Sequence, residues 1–186
     1  PEQVTPGLLV LPAWEETPLN ARGRVLRVDP GPAFGTGQHP TTRMCLKALE
    51  TVAPEGPWDL LDVGTGSGIL AIYGAMLGAD PVTGLDTDEE ALGWAEWNIR
   101  LNPVATAIGL SSEPLENWTA PFDVVTANLI LEVIINLLAH RQNDRIITTP
   151  LVPDVIVDIE ALDGFLTNLT RDFHHCDVWS KAHTFS

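Results

Sequence analysis

Positive charge is scarce in this sequence. Its 186 residues carry 10 lysines and arginines against 25 aspartates and glutamates, a formal net charge of −15 at pH 7. Lys47 and Lys181 are the only lysines, and nowhere do basic residues gather into a stripe. Nucleic-acid binding rests on many such side chains neutralising phosphates, so direct contact with DNA or RNA is not expected. An acidic surface favours a basic partner, or simply solubility. Cysteine is equally sparse, with only Cys45 and Cys176. Two isolated cysteines form no disulfide framework, which points to a reducing, cytoplasmic setting. Cys45 reads as a small buried apolar residue and Cys176 as a free thiol. Long apolar runs are missing as well. The stretch Leu129 to Leu138 is too short to cross a bilayer and is broken by Glu132 and Asn136, so no membrane segment or signal peptide is expected.

What the sequence does have is punctuation. Proline recurs through the first 32 residues, which read as an extended lead-in with short strands at Leu8 to Leu11 and Val25 to Val28. A glycine-rich loop follows, from Ala33 to Thr42, running into a helix from about Pro40 to Glu50. Strands and helices then alternate. Strands are expected at 59–63, 81–85, 104–110, 122–126 and 145–149, and helices at 67–77, 88–100, 129–140 and 154–163. Such alternation implies an α/β fold, a mostly parallel sheet with helices on both faces. Two weak strands near 166–173 and 176–185 suit an antiparallel edge. No internal repeat or linker divides the chain. The organisation expected is one domain over 33–186 behind the 1–32 lead-in.

The chain is organised around Asp62-Val63-Gly64-Thr65-Gly66-Ser67-Gly68-Ile69. A buried strand ends in an acid, glycines turn the backbone, and a helix begins. Without Cβ atoms the backbone turns sharply and lets a ligand approach, while the helix N-terminus supplies free N–H groups. A dinucleotide loop has a third glycine where Ile69 stands, although a shifted frame, Gly66-x-Gly68-x-x-Ala71, restores that pattern. The other fit is the S-adenosylmethionine loop of Rossmann-like methyltransferases. Asp86 closes the next strand, where an acid accepts hydrogen bonds from a ribose diol. Both nucleotide classes use that acid, so it supports the fold and leaves the cofactor open.

Three stretches together resemble one family. Asp29-Pro30-Gly31-Pro32-Ala33-Phe34-Gly35-Thr36-Gly37-Gln38-His39-Pro40-Thr41-Thr42 is similar to the signature loop of the PrmA family of ribosomal-protein methyltransferases. Leu61 to Ile72 resembles its cofactor loop, and Asp123-Val124-Val125-Thr126-Ala127-Asn128-Leu129 its fourth-strand motif. The resemblance implies a Rossmann-like methyltransferase fold with a seven-stranded sheet and S-adenosylmethionine as cofactor. It implies cofactor contacts at Thr42, Gly64, Asp86 and Asn128, with Phe34 and Thr36 closing the site and with Asp62 and Gly66 of the loop also expected to bind the cofactor. It further implies a protein amine as acceptor, on lysine or an N-terminus, of the ribosomal-protein type. The family places a recognition domain ahead of the catalytic one, and these 186 residues leave no room for it. Cofactor binding with poor action on the ribosomal substrate is therefore expected. Asn143-Asp144 and Thr149-Pro150 depart from the family's glycine-containing turns.

No general base stands out. Asn128 and His39 are the candidates for acceptor chemistry, although a histidine before proline in a loop is more often structural. Asn128 is followed by Leu129 and Ile130 rather than two prolines, which disfavours amide or adenine acceptors. His174, His175, Cys176, Asp177 and His183 can be read as a metal cluster, but His174 and His175, as neighbours on an expected strand, would face opposite ways, so an ordinary surface is the expectation. Trp94 and Trp97 share one face of a helix and suit packing better than an adenine pocket. The resemblance implies a protein methyltransferase. A small-molecule methyltransferase of the same fold and a non-catalytic S-adenosylmethionine-binding scaffold are the alternatives.

Overall fold

The computed structural model describes residues 1–29, 31 and 39–129, together with the backbone of 145–148. Among the described residues, five short strands form the central sheet: β4 (Leu60–Val63), β5 (Val82–Leu85), β6 (Ile108–Ser111), β7 (Val124–Ala127) and β8 (Arg145–Thr148). Their order is β6-β5-β4-β7-β8 and every neighbouring pair is parallel. The three central strands are buried almost throughout because both of their faces are covered. Leu60, Val82 and Val124 enter one hydrophobic core. Their neighbours Leu61, Val63, Leu85, Val125 and Ala127 enter a second, with Trp118, Phe122 and Leu129 packed against it.

Helix α1 (Pro40–Val52) starts with proline in its first turn and His39 as its cap. Helix α2 (Ile69–Leu77) is almost wholly apolar and its first seven residues are buried, as fits a helix enclosed by the sheet and α1. Helix α3 (Glu89–Leu101) has Asp88 accepting from the Glu90 N–H at its start, acids in its first turn and Arg100 in its last. All three features complement the helix dipole. Gly74, inside α2, faces β4 so closely that an added Cβ would run into the Leu60 side chain. Gly74→Val is therefore expected to lose about 1–3 kcal/mol of stability through overpacking. Urea unfolding checks this, and an unchanged midpoint would show that the α2–β4 contact opens at no cost.

The first 29 residues are less of a lead-in than the prolines suggest. They form a second sheet, β1 (Glu2–Thr5), β2 (Leu8–Pro12) and β3 (Arg24–Val28), in that order. Strands β1 and β2 pair antiparallel, β2 and β3 parallel. Val4, Leu8, Val10, Leu26 and Val28 share the core of α1 and α2 with Leu46, Leu49, Leu70 and Tyr73. Strand β1 escaped sequence reading because four residues carry too little alternation, and its partner β2 supplies the order.

The expected elements between residues 8 and 127 are present, with ends shifted by a few residues, the largest shift being β6, which begins at Ile108 rather than 104. The helices at 129–140 and 154–163, the strands at 166–173 and 176–185 and their antiparallel edge, and the histidines from His174 onward lie outside the described residues. Among the described residues no helix is long and apolar enough to cross a membrane, and no group of three ligand-type side chains gathers to hold a metal.

Candidate functional site

Strand β4 has β5 on one side and β7 on the other, so the chain order reverses there. In open parallel sheets the crevice outside the carboxyl ends at such a point is where ligands bind. Val63 is in register with Leu85 on one side and Ala127 on the other. The residues that follow these three are Gly64, Asp86 and Asn128. They lie level at the ends of adjacent strands, about 4.8 Å apart from strand to strand. Thr42 joins them from the first turn of α1, where its buried hydroxyl oxygen accepts a hydrogen bond of 3.1 Å from Asn128 Nδ2. Three strand ends and one helix start thus bring together four residues spread over the chain from 42 to 128.

The loop after β4 is held from several sides. Gly64, Gly66 and Gly68 all adopt positive φ, at 69°, 52° and 78°. The Thr65 N–H donates to the Leu85 carbonyl at 2.8 Å. The Gly66 N–H donates to Asp86 Oδ2 at 2.9 Å, and the Asp88 N–H to Asp86 Oδ1 at 3.1 Å. An ionised carboxylate accepts about four hydrogen bonds, so these two leave Asp86 capacity for a diol. Gly64 lies against Leu129, the residue after Asn128, so closely that a Cβ would enter its side chain. The two strand ends therefore meet across a backbone without side-chain bulk.

Asp62 sits beneath this surface. It is 1% exposed, and its two oxygens accept from Thr126 Oγ1 at 2.6 Å and Thr65 Oγ1 at 2.7 Å. It ties β4 to β7 and to the glycine loop, so it serves the crevice by holding its floor. Burial pushes its carboxyl up to about 6, against the opposing pull of hydrogen bonds from Thr126, Thr65 and the Ala71 backbone.

His39 caps α1, its Nδ1 accepting from the Thr41 N–H and lying 2.7 Å from Thr41 Oγ1. Phe34 and Thr36 lie outside the described residues. Trp94 and Trp97 line a surface depression with Asp29, Glu90 and Gly93, on the α3 flank. Sequence reading missed Thr65 and Thr126, whose hydroxyls anchor Asp62, and the buried Asn98 and Asn102. A signal for the asparagines exists. They continue the buried stripe Ala91, Ala95, Asn98 of α3, where amides are out of place unless bonded.

A sequence model described as "Ribosomal protein L11 methyltransferase (PrmA)" matches residues 1–148. The ribosomal protein L11 methyltransferase of Geotalea daltonii is 43% identical over 150 residues, covering 75% of this chain and 48% of that protein. The protein of that name from Levilactobacillus brevis is 39% identical over 168 residues, covering 87% of this chain and 53% of its own length. The chain thus spans about half the length of the curated relatives it matches. A crystal structure of ribosomal protein L11 methylase from Lactobacillus delbrueckii subsp. bulgaricus superposes with a TM-score of 0.69 at 33% identity, covering 78% of this chain and 77% of that one. With its parallel sheet, its glycine loop and the Thr42–Asn128 pair at the switch point, the chain belongs to the ribosomal protein L11 methyltransferase (PrmA) family.

Proposed function

We propose that this chain is a catalytic unit of an S-adenosylmethionine-dependent methyltransferase that methylates protein amines, with ribosomal protein L11 as the substrate its relatives' names suggest. The observation that carries the reading is the level placement of Gly64, Asp86 and Asn128 at the switch point, with Thr42 bonded to Asn128. The residues fit the cofactor. Gly64 turns the loop at positive φ, Asp86 keeps acceptor capacity for a ribose diol, and the N-terminus of α2 begins at the loop's last glycine. Gly66 serves as the loop residue that Asp86 holds.

The cofactor supplies an electrophilic methyl group, which leaves the protein mainly the task of alignment. An acceptor lysine has a pKa of about 10.4 and attacks only as the free amine. Partial burial beside the strand ends favours that neutral form, while the protein's acidity draws the protonated form in from solution. Asn128, at the end of β7, is held in place by donating from its Nδ2 to Thr42 Oγ1. Its place makes it the side chain to orient the amine. His39 is assigned to capping α1 and not to proton transfer. The setting is cytoplasmic, with neither nucleic acid nor membrane as a direct partner.

Calorimetry with S-adenosylhomocysteine and transfer of labelled methyl groups to L11 test the two halves of this reading. Asp86→Ala is expected to weaken cofactor binding by about 1.5–3 kcal/mol, on the order of 10- to 100-fold, the range for a hydrogen bond to a charged group. Unchanged affinity in a folded variant sinks the cofactor assignment. Normal cofactor binding without transfer to any protein amine would favour the scaffold.

A further inference from the structure

We propose that Asn98 is a positioning residue that locks the cofactor loop to the end of β3, and so holds the loop in the conformation that receives the cofactor. It rests on the cofactor reading given above. Asn98 is 0% exposed and each polar atom of its amide is engaged. Oδ1 accepts from the Asp29 N–H at 2.7 Å. Nδ2 donates to the Asp29 carbonyl at 3.0 Å and to the Ser67 carbonyl at 2.9 Å. One side chain therefore joins the residue just past β3 to Ser67 in the Gly64–Gly68 loop.

Asn102 shows what the same device does without the loop. Its Oδ1 accepts from the Arg27 N–H and its Nδ2 donates to the Arg27 carbonyl, both at 2.8 Å, with a further bond to the Asn98 carbonyl at 2.8 Å. Four residues on a helix rise about 6 Å, and two residues on a strand about 6.6 Å. Asn98 and Asn102 thus match the alternate edge groups of Asp29 and Arg27, and α3 closes the open edge of β3 as a neighbouring strand would. Both asparagines seal that edge, which an unpaired strand would leave exposed. Only Asn98 reaches the cofactor loop as well. Two of its three bonds go to Asp29, after which the chain runs to α1 and Thr42.

The pair supplies its own control. Each asparagine makes three hydrogen bonds and each is buried, so Asn98→Asp and Asn102→Asp should lower the melting temperature to a similar degree. In the Asn98→Asp variant a carboxylate oxygen faces the Asp29 and Ser67 carbonyls with nothing to donate. Asn98→Asp is expected to weaken S-adenosylhomocysteine binding at least tenfold at a temperature where both variants are folded. Asn102→Asp should stay within twofold of the parent. Amide hydrogen exchange in the free protein should quicken across Thr65, Gly66 and Gly68 in the Asn98 variant alone. Asn98→Ala, which adds no charge, replaces Asn98→Asp if the latter fails to fold. Equal effects of the two positions on affinity and on loop exchange would overturn the proposal, as would an Asn98 variant with parental affinity and exchange. If the parent itself binds no S-adenosylhomocysteine, the cofactor reading falls, and exchange across residues 65–68 still decides whether Asn98 holds the loop.

Discussion

Gly64→Val is expected to abolish cofactor binding, by more than 100-fold in affinity, while the sheet stays assembled. Two effects combine. Gly64 sits at φ 69°, a left-handed conformation that costs an L-residue about 1–2 kcal/mol, and more for a branched one. Its missing Cβ also leaves the space that Leu129 fills, so a side chain there must displace Leu129 from the strand end beside Asn128. Relieving either strain moves the loop backbone, and the loop is the surface a ligand must lie against. Gly64→Ala carries the same first carbon with less bulk and should show the same loss in milder form. Calorimetry with S-adenosylhomocysteine reads the affinity, and circular dichroism reads the fold. Parental affinity in a folded Val variant would mean that the loop is only a turn.

Asp62→Asn should change how stability depends on pH. Burial raises the Asp62 carboxyl from 3.8 to about 6 in the folded chain. A raised folded value means that the folded state holds its proton more tightly than the unfolded one. The favourable contribution is therefore complete below about pH 4 and is lost as pH rises through about 6. At about 1.4 kcal/mol per pH unit the full change is about 3 kcal/mol, and roughly half of it falls between pH 7.5 and 5. Asparagine has no such term. The stability of the parent relative to Asp62→Asn should thus grow as pH falls over that range. Urea unfolding of the two chains at pH 5, 6 and 7.5 measures the difference. Parallel stability profiles would show that Asp62 ionises in the fold as it does in the unfolded chain.

The alternating elements were legible because each announces itself locally. Short apolar runs end at glycine or an acid, and α3 opens with an aspartate cap and an acidic first turn. Glycines at 64, 66 and 68 mark a turn that few other residues tolerate, and each adopts positive φ. Strand β1 was not legible, since its order comes from pairing with β2 and from Val4 reaching the core. The Trp94–Trp97 pair was read as packing, yet Trp97 remains 47% exposed beside Asp29 and Glu90.

Asp62 separates the two kinds of information most clearly. An acid before a glycine loop is visible in the sequence. That it anchors the floor depends on Thr126, 64 residues away, which lies beside it because β7 pairs with β4 in that register. Asn98 and Asn102 are similar, since their partners at 27 and 29 lie on or just past a strand in the other sheet. By itself, then, the sequence determined the α/β alternation, the glycine turn and the acid after the second strand of the central sheet, because those follow from local periodicity and backbone sterics. Only the tertiary structure decided which polar side chains face the crevice and which brace it from below. Hydrogen-bond partners far apart in the chain are chosen by strand register and helix docking, and neither is encoded in any short stretch of residues.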